Sequence, residues 1–342
     1  MIEHANEIAK WADSHGLVKA IGHTPLVELC NIYEGSGLCL HAKLEGLNPG
    51  GSMKDRPSRC IIQQGIRTGL INPETVIIES SSGNMGIGLA QICAVYKLRF
   101  ICVVDPKTTS QNINLLKVYG AEVDVVTQPD PKTGEYLQAR INRVNGLLAS
   151  IPNSFWPNQY ANPNNPLAHR ETMHEIVAEL GRPPDFVFIA TSTCGTIRGC
   201  SEYLRSHGYD TKVIGVDAHG SVIFGGSRAK RLIPGHGAAV RPGLYRADMA
   251  DNHIHVSDAD CIIGCRRLVR KEGILAGGSS GAVIKAVEQA RHLMRPGALC
   301  VAILGDRGER YLDTIYSDEW VERHFGDISH FWEEKTPALV AG

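Results

Sequence analysis

The stretch TVIIESSSGNMGIGLAQICAVYKLRFICVVD, residues 75–105, shows in its plainest form a device that the chain repeats. Residues 75–80 are a short apolar run rich in β-branched side chains, the composition of a buried strand. The small polar loop SSSGN follows and runs into an apolar helix, after which residues 100–105 read as the next strand. Strand, loop and helix leading to a second strand make a βαβ unit, whose strands lie parallel beneath the crossover helix.

The same alternation extends in both directions. Upstream, residues 22–29 and 38–44 read as two short strands, and residues 56–70 as a helix. Downstream, QNINLLKVYGA is a helix with a glycine stop, 122–127 a strand and 134–150 a helix. The Asn- and Pro-rich segment 154–169 breaks the pattern and reads as a loop crossing between lobes. Beyond it come a helix (170–180), a strand (185–191), the loop STCGT, a helix from 197 and a strand (211–218). Residues 220–246 are rich in Gly and Pro without periodicity, the pattern of a long functional loop. HIHVSD, a helix ending at Gly273, the GGSSG loop with its helix, and the strand LCVAILGD close the series. The expectation is an α/β protein of mostly parallel sheets flanked by helices, in two lobes. The first sixteen residues look like a short amphipathic helix.

With 342 residues, 43% hydrophobic and 21% charged, the chain has the composition of a soluble globular protein. A net charge of -1 without a basic stripe argues against nucleic acid as a partner. No apolar run has the length of a membrane span, and no secretory signal opens the chain. A cytoplasmic location is expected. The ten cysteines form no CxxC pair, and several sit in apolar strands, as small buried residues do in a reducing compartment. His23, His169, His219 and His236 lack the spacing of metal ligands, so no metal is expected.

Chemistry points to the polar loops, because ligands of open α/β sheets bind beyond the carboxyl ends of the strands. Ser81-Ser82-Gly83-Asn84, Ser192-Thr193-Cys194-Gly195-Thr196 and Gly277-Gly278-Ser279-Ser280-Gly281 each open a helix. Free N–H groups at helix starts suit phosphate or carboxylate, although any one such loop taken alone reads better as simple capping. In NPGGSMKDRP, residues 48–57, a Gly-Gly-Ser turn presents Lys54. A partly desolvated lysine there could be a nucleophile or Schiff-base partner; a solvated surface lysine is the plain alternative. The glycines at 83, 86 and 88 are spaced GxxGxG, which is not the dinucleotide order, so a nicotinamide oxidoreductase is the poorer reading. Three anion-suited loops with one lysine favour pyridoxal 5'-phosphate.

NPGGSMKDRP, SSGNMGIGLA, STCGT, GGSSG and DRGERYL, in this order, resemble the cysteine synthase/cystathionine β-synthase family of fold type II pyridoxal phosphate enzymes. The resemblance runs from about residue 18 to residue 320. Met53, NQYAN (158–162), DAHGSVIFG (217–225) and DRGERY (306–311) are similar to a siderophore-pathway subgroup that joins O-phospho-L-serine to L-glutamate through an aminoacrylate intermediate. What the resemblance implies follows residue by residue. Lys54 holds the cofactor and moves the α-proton, Asn84 meets the ring hydroxyl, and Ser279 sits at the pyridine nitrogen. Ser192, Thr193, Cys194, Gly195 and Thr196 cradle the phosphate. Ser81, Ser82, Met85 and Gln159 hold substrate. Tyr160 orients the leaving phosphate or the incoming amine, and Arg140 pairs with a substrate phosphate or carboxylate. The implied lobes are residues 51–158 (smaller), 1–50 with 159–325 (larger, holding the phosphate loop) and a tail, 326–342. A homodimer acting on small amino acids is implied. Ser192 and Cys194, where cysteine synthases are usually richer in glycine, speak against sulfide as the acceptor. A cysteine synthase, a 2,3-diaminopropionate synthase using ammonia and a non-catalytic binder on this fold are the alternatives.

Overall fold

The computed structural model describes residues 16–35 and 37–333. The amphipathic helix expected at the N-terminus lies outside them, apart from a short turn of helix at Gly16–Lys19, as do the last nine residues of the tail.

Among the described residues, ten strands form two sheets. In chain order they are β1 Leu26–Glu28, β2 Cys39–Leu44, β3 Val76–Ser80, β4 Phe100–Val104, β5 Glu122–Val125, β6 Ser154–Phe155, β7 Phe186–Ala190, β8 Lys212–Ala218, β9 Asn252–Val256 and β10 Leu299–Leu304. The larger sheet has the order β1-β2-β10-β7-β8-β9 and the smaller β5-β4-β3-β6. Every pairing is parallel except β1 with β2.

Side-chain alternation explains why helices cover both faces of each sheet. On β10, Cys300, Ala302 and Leu304 pack against the helices Asp258–Glu272 and Gly278–Gln289, whereas Val301 and Ile303 meet Asn164–Leu180 and Gly195–Ser206. In the smaller sheet, Ile77, Phe100 and Cys102 face the helices Asp55–Arg67 and Asn84–Tyr96, while Val76, Ile78 and Val103 face Tyr136–Ser150. The core of the larger sheet continues to Trp332, within the segment expected as a tail.

The segment 154–169 departs from the expected loop at both ends. Ser154 and Phe155 add β6 beside β3, and the next helix starts at Asn164, six residues before the expected 170. Pro166 lies in the first turn of that helix, where a missing N–H costs nothing because no intrahelical acceptor precedes it. Residues 220–246 carry no helix or strand.

The Asp55–Arg67 helix belongs to the smaller sheet's core yet lies against Asn164–Leu180 of the larger one. Fully buried Arg56 makes this junction. It grips Glu45 through Nε and Nη2, both at 2.7 Å, and Glu175 through Nη1 and Nη2, also at 2.7 Å. Glu175 also takes Lys43 Nζ at 2.8 Å and the His23 N–H at 2.9 Å.

Candidate active site

Beyond the carboxyl ends of β3, β7 and β10, the polar loops converge on the lysine turn. Gly51 (φ +82°) reverses the chain in a conformation that favours glycine, and its N–H donates to Asn48 O at 2.8 Å. The Met53 N–H donates to Gly305 O at 2.8 Å, and Ser52 bridges to Asp306, so the turn is laid across the end of β10. Lys54 follows as the cap of its helix, its N–H on Ser52 Oγ at 3.2 Å. Burial lowers the affinity of its amine for protons below the ordinary lysine value, against opposing pulls from Asp306 and Glu45. A lysine so tuned suits nucleophilic and base chemistry. Gly88 makes the approach possible, since a Cβ there would lie 2.6 Å from Ser58 Oγ and 3.1 Å from Lys54 O.

In the loop after β3, Ser81 Oγ accepts the Gly86 N–H at 2.9 Å, and Ser82 O accepts from Asn112 Nδ2 at 2.9 Å. Asn84 donates through Nδ2 to Asp306 Oδ2 at 2.8 Å and accepts from Arg310 at Oδ1. Met85, expected among the substrate contacts, is different. Its side chain is 2% exposed and packs in the smaller core, with Ser58 Oγ 3.6 Å from its sulfur, because its helix position turns it away from the loop.

The loop after β7 is tightly wound. Cys194 adopts a left-handed conformation (φ +66°), and burial pushes its thiol up to about 12, which disfavours the thiolate. Thr193 Oγ1 accepts from the Gly195 N–H at 3.3 Å and Asn165 Nδ2 at 3.2 Å. Thr196 Oγ1 lies 3.2 Å from Nε2 of His169, whose Nδ1 meets Thr172 Oγ1 at 3.2 Å. Burial first, then Lys54 and Arg56, hold His169 well below the ordinary histidine value, leaving a neutral strut under the loop. The 220–246 segment returns here, where the Gly237 N–H donates to Thr191 O at 2.6 Å and Ser192 Oγ approaches Gly237 O at 3.5 Å. Ser279 is 6% exposed and opens its helix between Gly235 and Gly305. Its hydroxyl takes no partner among the described residues.

Gln159 and Tyr160 hang over these loops from the inter-sheet crossing. The crossing is pinned by Glu79, a buried acid at the end of β3 that accepts from Trp156 Nε1 at 3.1 Å, Ser80 N at 2.8 Å and Gln159 N at 3.2 Å. Burial raises Glu79 to about 7 in spite of these donors. Tyr160 keeps 38% of its surface exposed, as a cleft-lining residue does. Burial of its phenol raises its pKa; Arg140 opposes the rise, Glu79 adds to it, and Arg231 and the Ser192 hydroxyl also oppose it. Arg140 is no solvated helix arginine. It is 13% exposed and held 3.2 Å from Asp105. Arg231 donates to His236 O at 2.9 Å and makes no ion pair among the described residues.

The structure thus brings together Lys54, Asn84, Ser81, Ser82, the 192–196 loop, Ser279, Gln159, Tyr160 and Arg140, and removes the Met85 side chain. Sequence reasoning missed Glu79, Arg231, Asp306 and Arg310. The lone acid in VIIES was a signal for the first, and DRGERY had been noted without roles for its charges.

These residues fit pyridoxal phosphate: a lysine of lowered basicity, a hydroxyl at Ser279 without a partner among the described residues, and a helix N-terminus at Gly195–Ser206 whose cap, Cys194, makes no side-chain hydrogen bond, a place suited to a phosphate. The family described as "Pyridoxal-phosphate dependent enzyme" matches residues 17–306. An N-(2-amino-2-carboxyethyl)-L-glutamate synthase of Ralstonia nicotianae is 47% identical over 308 residues, 90% of this chain and 91% of that protein. One from Cupriavidus metallidurans is 45% identical over 314 residues, 90% and 92% of the two chains. Among solved structures, the O-acetylserine dependent cystathionine beta-synthase of Helicobacter pylori has a TM-score of 0.82 at 33% identity, covering 88% of this chain and 98% of its own. Cysteine synthase of Entamoeba histolytica has 0.83 at 32%, covering 94% and 96%. The chain belongs to the pyridoxal-phosphate dependent enzymes, and pyridoxal phosphate is its cofactor.

Proposed function

We propose that this enzyme joins O-phospho-L-serine to L-glutamate, forming N-(2-amino-2-carboxyethyl)-L-glutamate and phosphate, in siderophore or 2,3-diaminopropionate biosynthesis. The observation that carries the reading is that two guanidinium groups, Arg140 (paired with Asp105 at 3.2 Å) and Arg231 (without an ion pair among the described residues), both act electrostatically on the Tyr160 phenol beside Ser192. O-phospho-L-serine brings a phosphate ester and a carboxylate, and L-glutamate brings two carboxylates, whereas sulfide needs no such charge. A guanidinium without a carboxylate partner, Arg231, close to a second, Arg140, suits an anionic substrate group in a partly desolvated cleft. The names of the Ralstonia and Cupriavidus relatives support the same activity.

Pyridoxal phosphate, when bound, supplies an electron sink for the substrate's α-carbon. The chain's own groups do the rest. The 192–196 loop and the helix behind it hold the phosphate, Asn84 the ring hydroxyl, and the neutral Ser279 hydroxyl the ring nitrogen. Ser81, Ser82 and Gln159 hold the substrate carboxylate. Lys54 takes the α-proton as the β-phosphate departs; the glutamate amine then adds to the β-carbon, and Lys54 returns the proton. Its lowered basicity favours the neutral amine that this requires. Tyr160, with Arg140, orients the departing phosphate or the arriving amine. Splitting the substitution in two avoids direct displacement at an unactivated carbon.

The same reading divides the chain into a smaller lobe, residues 51–158, and a larger one, 1–50 with 159–325; the four-stranded sheet, within residues 76–155, supports it. Closure of the smaller lobe would keep water from the reacting carbon. A cytoplasmic location agrees with ten free cysteines, and no described helix is long and apolar enough to cross a membrane.

A cysteine synthase is the second reading, favoured by the names of neighbours such as the Entamoeba enzyme. One experiment separates the two. The visible absorption of the cofactor-loaded protein should change with O-phospho-L-serine and recover only when L-glutamate is added, with a new amine product by mass. Change with O-acetylserine and recovery with sulfide alone would overturn the proposal in favour of the second reading.

A further inference from the structure

Arg310, in the short 3-10 helix Gly308–Tyr311 that follows β10, binds only neutral oxygens. Its Nη1 donates to Asn84 Oδ1 and its Nη2 to Gly50 O at 2.6 Å. No carboxylate pairs with it among the described residues. Its two acceptors belong to the two segments that carry cofactor-facing groups, the lysine turn and the loop after β3. Gly50 is held on both sides, because its N–H donates to the Asp55 carboxylate while its C=O accepts from Arg310. Asn84 is likewise held at both ends, by Arg310 at Oδ1 and by Asp306 at Oδ2, 2.8 Å from Nδ2. Tyr311 donates to the same Asp306 oxygen at 2.6 Å and keeps that carboxylate in place.

The chemistry of the partners fixes which way the amide points. A guanidinium only donates and so demands the amide oxygen, while the carboxylate calls for the amide nitrogen. One N–H of Asn84 is then taken by Asp306, and the other is left to point out of this cluster. A cationic donor on the amide oxygen also polarises the amide and strengthens that remaining N–H as a donor.

We propose that Arg310 is a positioning residue for the cofactor: it sets the orientation and donor strength of Asn84 toward the ring hydroxyl, and ties Asn84 to the turn that presents Lys54. The proposal rests on the cofactor assignment and is independent of which amine or thiol the enzyme accepts.

The test uses the purified protein reconstituted with pyridoxal phosphate. Arg310→Gln should weaken cofactor binding about tenfold, the loss of one charge-assisted hydrogen bond, and shift the visible band of bound cofactor. Arg310→Lys, which keeps the charge but not the two-pronged reach, should lie between Gln and the native protein and serves where the Gln variant does not fold. In an Asn84→Ala background, Arg310→Gln should add little to the loss of cofactor affinity, because both act through one amide. Additive losses, or a lowered melting temperature with cofactor affinity and spectrum unchanged, would overturn the proposal and leave Arg310 a brace of the fold. Failure of glutamate as a substrate would leave these readouts untouched.

Discussion

Lys54 owes its chemistry to its surroundings rather than to its own type. The same side chain on an open surface would stay protonated and hydrated; here the turn at Gly51 and the end of β10 bring it into a partly desolvated cleft beside Asp306. Lys54→Ala should therefore abolish both turnover and the visible band of covalently held cofactor, with the melt of the protein nearly unchanged. Tyr160 is proposed for the substrate side of the same cleft. Tyr160→Phe removes one hydroxyl and no volume, so turnover should fall by about tenfold to hundredfold while the absorption of the cofactor-loaded protein stays the same. A changed spectrum would put the phenol on the cofactor instead. Both residues could be singled out from sequence, Lys54 by its glycine turn and Tyr160 by resemblance. Arg231 could not, because residues 220–246 have no periodicity from which to infer where a side chain points.

At the scale of elements, two contacts set the site's geometry. The Asn84–Tyr96 helix touches the Lys54 turn at Gly88, where there is no room for a methyl. Gly88→Ala should push the helix off the turn, costing about 2 kcal/mol of stability and weakening cofactor binding, as read from chemical denaturation and cofactor titration. A variant as stable and as tightly loaded as the native protein would mean that the contact is slack. The second contact is the ion cluster joining Asp55–Arg67 to Asn164–Leu180. Burial pushes Glu175 up, but hydrogen bonds and charge from Arg56, then Lys43, outweigh this and bring it from 4.5 down to about 2. A carboxylate with a depressed pKa in the folded protein contributes stability that is complete above about 4.5 and is lost as pH falls through about 2. With solvent screening allowed for, that contribution is about 2 kcal/mol. Glu175→Gln should cost about 2 to 3 kcal/mol near neutral pH, since Lys43 keeps only the more distant Glu179 at 4.0 Å and Arg56 keeps Glu45 with Glu171 at 3.8 Å. The cost should shrink at about pH 3; denaturation curves at the two pH values check it, and a constant difference would exclude the cluster as the cause. These helices were readable as helices from apolar spacing. That they meet through Arg56 and Glu175, 119 positions apart, was not.

At the scale of the molecule, two sheets present their strand ends to one cleft, with the groups proposed to hold the cofactor divided between them. Lys54, Asn84 and Ser81 come from the side of the smaller sheet, and the 192–196 loop and Ser279 from the larger. If the family's homodimer applies, light scattering should give twice the chain mass of 37.2 kDa; a monomer that is fully active would show that one copy completes the site.

Local order was legible along the chain because its causes are local. Buried strands such as FICVV and LCVAIL announce themselves by unbroken apolar runs, helices by their spacing, and anion-suited loops by serines and glycines at helix starts. The ordered motifs carried the cofactor with them. Strand order, the pairing of β6 with β3 and the early start of the Asn164–Leu180 helix came only with the folded chain. So did the burial of Met85 and the convergence of Asp306 and Arg310 on Asn84 from more than two hundred positions away. Periodicity records how a residue relates to its neighbours within a few turns. Which side chains meet across the cleft depends on crossovers and packing that no short window of sequence contains.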